Sequence, residues 1–322
     1  MKRKLLSVLL ALGLLTGCSA SPQPGSQEDS LTILATTYPV YLMVSTVTEG
    51  LDGVTVERLN TGEVSCLHDY TLSVNDMKKI ERADVIAMSG AGLEEFMEDA
   101  LATSDALVID CSEGAHLLEN LSHHHEEKEG DDHGHDHGHF DPHYWMDPEN
   151  AQVMVHNLAN ALTELEQTNA DTLRDNAHNA AAALGSLNDT LSDMLARAGS
   201  SLSGFTVSGL ITFHDGFQYF AHAYGLPLLE SIEEEAGSEA SAKEIVEITH
   251  LVKEHNIPII FTEVNGSDAT AKAIIRETGC QMARLSTCMD GSDDQLSTYL
   301  DVMTDNMIAV VNGFAGEEII VK

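Results

Sequence analysis

Short apolar runs alternate with stretches of helical period along most of the chain. LTILAT (31–36), VTVERL (54–59), DVIAMS (84–89) and ALVID (106–110) read as strands, with helices over 39–49, 74–83 and 93–101 between them. Met77, Ile80 and Ala83 fall on one face of the second helix. Helical patterns continue over 149–165 and over 171–198, the second rich in alanine with one glycine inside it. At 1.5 Å per residue the latter runs roughly 40 Å, enough to pass between two lobes. The alternation then resumes: FTVSGLI (205–211), helix 215–224, LPLLE (226–230), helix 242–255, PIIFTE (258–263), helix 267–278, CQMARL (280–285) and helix 293–313. This pattern predicts an α/β protein of two lobes, each a mainly parallel sheet of about four strands flanked by helices, joined by one long helix. Ligands of such sheets bind beyond the carboxyl ends of the strands. No internal repeat, GxGxxG or Walker A loop accompanies it.

The pattern is interrupted at both ends of the N-terminal half. Residues 1–17 have a basic start (Lys2, Arg3, Lys4) and an apolar core, and LTGC at 15–18 resembles a lipobox, which predicts a secretory signal and a lipidated Cys18. The apolar run is about half of what a span requires. Residues 18–30 then form a polar tether, 31–147 an N-terminal lobe with a histidine-rich loop at 122–139, 148–202 the linking helices, and 203–322 a C-terminal lobe. With 16 Lys and Arg against 52 Asp and Glu, the net charge of −36 argues against a nucleic-acid partner. Past Cys18, four cysteines (Cys66, Cys111, Cys280, Cys288) have no CxxC spacing; free thiols are the default, with a Cys280–Cys288 bridge as the alternative.

The interruption at 123–148, HHHEEKEGDDHGHDHGHFDPHYWMDP, carries eight of the sixteen histidines. His123, His124, His125, His133, His135, His137 and His139 lie among acids and glycines with no apolar periodicity, a setting for loose metal binding. His143 is framed instead by Asp141, Pro142, Trp145, Asp147 and Pro148, and such a rigid frame suits a direct ligand. Taking strand ends in turn, His68 comes after VTVERL, His143 after ALVID, His214 after FTVSGLI and Asp290 after CQMARL. Two donors from each half place a site in the cleft. Three imidazoles and a carboxylate make four ligands, as zinc favours in a closed site. Asp69 either orients a ligand imidazole or caps the helix or turn next to it. His116, His156, His178, His222, His250 and His255 read as solvent-facing or packed, Phe217, Tyr219, Phe220 and Tyr224 as core, and Glu233, Glu234 and Glu235 as a solvated run.

The segments LHDYTLSVNDMKKIERAD, DPHYWMDP, TFHDGFQYFAHAYGL and FTEVNGSDATAKAIIRETG resemble the zinc- and manganese-type substrate-binding lipoproteins of bacterial ABC importers, the cluster A-I family, over residues 31–312. The resemblance implies two lobes on a rigid helix, one buried metal, and delivery to a membrane permease. It carries His68, His143 and His214 over as ligands. His214 stands where manganese-type members have a carboxylate, which with the histidine-rich loop implies Zn2+ over Mn2+. The chain departs from the family before the first ligand, with Leu67 in place of proline or glutamate and Cys66 ahead of it. That departure leaves the fourth ligand open; the resemblance implies Asp290, because the family's C-lobe carboxylate ligand lies in the loop after that strand, with Glu263, water or a Cys66 thiolate as alternatives. The expected protein is an exported, lipid-anchored, monomeric zinc carrier on the outer face of the cytoplasmic membrane, and not an enzyme. A manganese or iron carrier of the same fold is the first alternative, and a surface-anchored zinc hydrolase using Glu263 as base is the second. An adhesin is a third, with no positive sign in the sequence.

Overall fold

The computed structural model describes residues 30–59, 70–121, 139–233, 240–264 and 268–321. Among the described residues, eight strands form two four-stranded sheets. β1 (Leu31–Ala35), β2 (Val54–Arg58), β3 (Val85–Met88) and β4 (Leu107–Asp110) lie in the order β2-β1-β3-β4, all parallel. β5 (Leu210–His214), β6 (Leu228–Glu233), β7 (Ile259–Glu263) and β8 (Gln281–Leu285) repeat it as β6-β5-β7-β8. The second lobe thus copies the topology of the first, a repeat without an internal sequence signature. In each sheet the crossovers change direction beside the first strand, opening a crevice at the carboxyl ends of β1 and β3, and of β5 and β7.

The connecting helices are α1 (Tyr38–Val47), α2 (Val74–Arg82), α3 (Glu98–Leu101), α4 (Pro148–Leu165), α5 (Ala170–Ser201), α6 (Gln218–Ala223), α7 (Ala242–Glu254), α8 (Ala269–Thr278) and α9 (Leu296–Ala315). α5 is 32 residues long, about 48 Å. It packs on α1 and α4 of one lobe and on α9 of the other. Leu173, Ala177, Ala180, Leu184, Leu187 and Leu191 form its buried stripe at helical spacing. Asn176 on the same helix donates to the carbonyls of Val47 and Glu49, meeting acceptors left over at the end of α1. One continuous apolar core runs from Ile33 and Val85 through Trp145, Leu158 and Leu184 to Phe261 and Val310, so both sheets share it on their inner face. Each outer face has its own smaller cluster, Leu34, Ile80, Ile86 and Met97 in one lobe and Ile211, Ile248, Ile260 and Ile274 in the other.

Several sequence expectations are corrected here. β5 begins at Leu210, not at Phe205. Leu210 pairs with Leu228 at the start of the neighbouring strand, and the Leu210 N–H donates to Pro227, so the residues before it overrun the sheet and find no ladder partner. The helix expected over 93–101 is a 3-10 turn at Glu95–Met97 followed by the single turn of α3. The chain enters it through three successive positive-φ residues, Gly90, Ala91 and Gly92. On α2, Met77 is 42 % exposed while Asp76 is buried. The Asp76 carboxylate closes a capping box with Ser73 and accepts from the Tyr70 hydroxyl, so the polar contact overrides the apolar period. α6 starts at Gln218, because Asp215–Phe217 form the turn below the site. Cys111, Cys280 and Cys288 are free and buried, in line with the default expectation, and the alternative Cys280–Cys288 bridge is absent; burial pushes the Cys288 thiol up to about 12.

The crevice of the first lobe is filled by its own side chain. Glu94 accepts from Thr36 Oγ1 at 2.6 Å and from the N–H groups of Ser89 and Gly90 at 2.8 and 3.0 Å. Burial pushes its carboxyl up to about 7, with the three donors and the nearby Asp110 as smaller influences. The folded protein therefore binds this proton more tightly than the unfolded chain does. Its stabilising effect is complete below the ordinary glutamate value of 4.5 and is lost as the pH rises through about 7. Urea unfolding at pH 5 and pH 8 should show wild type losing about 2–3 kcal/mol relative to Glu94→Gln. Equal pH responses of the two proteins would refute this.

Candidate metal centre

The loop after β4 returns through an antiparallel bridge between Glu119 and Phe140, so that Asp141 and His143 emerge from a closed base. His139 stands exposed at that base, its Nε2 3.7 Å from Glu119 Oε1. His143 leads a 3-10 turn at Tyr144–Met146, and Asp147 then caps α4 by accepting from the Glu149 N–H. This turn is bonded to the opposite lobe at three points. Trp145 Nε1 donates to the Thr287 carbonyl at 2.8 Å, the Tyr299 hydroxyl donates to the Trp145 carbonyl at 2.6 Å, and the Tyr219 hydroxyl donates to the Asp141 carbonyl at 2.8 Å. His214 is the last residue of β5, at the crevice of the second lobe.

The two imidazoles, each 1 % exposed, meet at 3.2 Å between their Nε2 atoms, with ring planes at 89°. Asp141 Oδ1 lies 2.8 Å from His143 Nδ1 and also accepts the His143 N–H at 2.8 Å. A carboxylate on Nδ1 holds the proton there and turns the Nε2 lone pair toward His214. His214 Nδ1 has Asp215 Oδ1 at 3.5 Å, near enough for its charge to favour a proton on that nitrogen but without hydrogen-bond geometry. With both Nδ1 atoms protonated, two lone pairs face each other, an arrangement that a cation between them would stabilise. Nitrogen ligands of a tetrahedral zinc at 2.0–2.1 Å stand about 3.3–3.4 Å apart, close to the observed spacing. Gly216 permits this approach, because a Cβ there would lie 2.7 Å from Thr287 Cγ2, 2.9 Å from the His214 ring and 3.1 Å from the His143 ring.

Among the described residues, His143, His214 and Asp215 are the group whose ligand atoms all lie within 4.8 Å of one another. Glu263 and Asp290 are not members of it. Glu263, buried at the end of β7, accepts the Thr287 hydroxyl at 2.5 Å. Asp290 sits on the loop after β8, where it attracts the Arg58 guanidinium. His68, Cys66 and Asp69 lie outside the described residues, as do His123, His124, His125, His133, His135 and His137 of the loop, Cys18, Glu234 and Glu235. The six isolated histidines are all exposed, although the His116 and His222 rings stack at 5.5 Å. Phe217, Tyr219, Phe220 and Tyr224 are core. Sequence reasoning missed Asp141 and Asp215 as neighbours of the imidazole pair. The D-P-H spacing, with Asp141 two residues ahead of His143, was the available signal for the first.

The chain resembles known proteins over most of its length. It is 29% identical over 321 residues to the zinc-binding protein AdcA of Streptococcus pyogenes, a match covering 91% of this chain and 58% of that protein. It therefore spans somewhat over half the length of the curated relatives it matches. The crystal structure of Zn(II)-bound AdcA from Streptococcus pneumoniae superposes with a TM-score of 0.71 at 25% identity, covering 91% of this chain and 59% of that one. The laminin binding protein Lmb of Streptococcus agalactiae, described as bifunctional with adhesin and metal transporting activity, gives 0.73 at 24% identity over 88% of this chain and 99% of its own, a likeness of fold. The model of the family described as zinc-uptake complex component A, periplasmic, matches residues 33–313, and the chain belongs to that family.

Proposed function

We propose that the chain captures a zinc ion between its lobes and hands it to the ABC permease of an importer outside the cytoplasm. The observation that carries this reading is the buried His143–His214 pair, 3.2 Å apart, with Asp141 fixing one tautomer. His68 is proposed as the third ligand and Asp290 as the fourth. Asp215, Glu263 and Cys66 are the other donors to weigh for that last position. The histidine-rich loop adds loose binding, Cys18 carries the lipid anchor, and the chain works as a monomer. Neutral imidazoles dominate the donor set, and they select zinc over harder cations. Binding is the task and not catalysis, because neutral imidazoles outnumber carboxylates in the proposed donor set and Glu263 is buried against the Thr287 hydroxyl rather than beside the pair. A manganese or iron carrier is the second reading, favoured by the Asp215 carboxylate beside the pair.

Competition of zinc and manganese against a chelator tests this on wild type and His214→Glu. Wild type should hold zinc far more tightly than manganese, and the carboxylate should move preference toward manganese. Unchanged relative affinities in the variant would overturn the assignment of His214.

A further inference from the structure

Arg58, the last residue of β2, reaches from one lobe into the other. Its guanidinium carbon lies 4.5 Å from the centroid of the Tyr38 ring and 5.9 Å from that of Tyr41, the two rings stacked on α1. Its Nη1 donates to the Gly291 carbonyl of the opposite lobe at 2.5 Å. Tyr38 extends the same bridge, its hydroxyl donating to the Asp293 carbonyl at 2.9 Å. Lys79 Nζ donates to the carbonyls of Arg58 and Leu59 at 2.6 and 2.9 Å, which fixes the strand end that Arg58 leaves from. Gly291 fits because a Cβ there would run into the Tyr38 ring.

The bridged loop starts at the metal centre. Its first residues are anchored in the C-terminal lobe, where Asn306 accepts from the Ser286 N–H at 2.9 Å and donates to the Ser286 carbonyl at 2.8 Å. Thr287 then touches Trp145 and Glu263 and lies against the position of Gly216. Cys288 takes a left-handed φ of +61°, and the chain passes Asp290 to reach Arg58. One end of the loop therefore belongs to one lobe and the other end is held by the opposite lobe.

We infer that Arg58 is a positioning residue for metal retention. By clasping Gly291 against Tyr38 and Tyr41 it keeps the 286–291 loop, and Asp290 with it, closed over the site. The inference rests on the proposed metal site, but it concerns how fast the ion leaves and not which atoms hold it. Arg is suited to the task because its plane lies on aromatic faces while its edge donates, and lysine cannot do both.

The test is stopped-flow release of zinc to excess chelator from the purified protein, with wild type, Arg58→Ala, Arg58→Lys, Gly291→Ala and His214→Ala side by side. Arg58→Ala should speed release about 10- to 100-fold. The association rate should stay near wild type, and the melting temperature of the metal-free protein should fall by only a few degrees, the cost of the lost Arg58 contacts. Arg58→Lys should recover only part of the loss, and Gly291→Ala, which displaces the loop without changing charge, should also speed release. Wild-type release rates in Arg58→Ala and Gly291→Ala would overturn the clasp, as would metal-free melting temperatures that fall in step with faster release. If His214→Ala binds zinc as wild type does, the metal site itself is wrong; if only the Arg58 and Gly291 variants are silent, the site stands and the clasp falls.

Discussion

Replacing His214 with alanine should weaken zinc binding about 100- to 1000-fold. Structural zinc sites bind with apparent free energies of about 10–16 kcal/mol, and one ligand of four carries roughly a quarter of that. The loss is not recovered by solvent easily, because the ring is buried at the end of a central strand, with residues on both sides fixed by the β5 ladders and the Gly216 turn. His143→Ala should match it, since the two Nε2 atoms face the same point. Calorimetry or chelator competition reads the change directly. A loss under tenfold in both variants would mean that the ion sits elsewhere.

Asp141 acts one atom further out, and its removal carries the second largest effect. Asp141→Asn keeps an acceptor on His143 Nδ1 but removes the charge that makes the imidazole a stronger donor, and should cost about tenfold in zinc affinity; Asp141→Ala should cost up to about 100-fold. The alanine variant also frees the His143 N–H and loosens the turn before the 3-10 segment. Both proteins should still bind one equivalent at the cleft with weaker affinity. Wild-type affinity in Asp141→Ala would show that the turn is held by Trp145 and Tyr219 alone.

The fold was largely legible because the central parallel strands, covered on both faces, read as apolar runs, and seven of the eight strands sit within a few residues of their expected places. β5 was misplaced because FTVSGLI has strand composition throughout, while only its last residues have neighbours to pair with. His143 and His214 were legible as ligand-type residues beyond the carboxyl ends of strands, a rule that depends on topology and not on distance. Asp141 was read as a turn residue, and its second role appears only once the chain folds back to set Oδ1 against the ring. Arg58 was invisible for a similar reason. Nothing in VTVERL tells that its arginine ends between two tyrosines of a helix behind it and a carbonyl 233 positions ahead.

The duplicated strand order makes the fate of Glu94 consequential. Each half has a crevice of the same origin, yet one is stoppered by a carboxyl that occupies three donors of its own lobe, and the other is left open to receive a ring from across the cleft. The halves are therefore not two equal half-sites that closed on an ion between them. One lobe supplies the cup and the other lends a finger. Changes to metal preference should accordingly accumulate in the second half, at His68 and in the segment around His143, while the first crevice remains free to drift as ordinary interior.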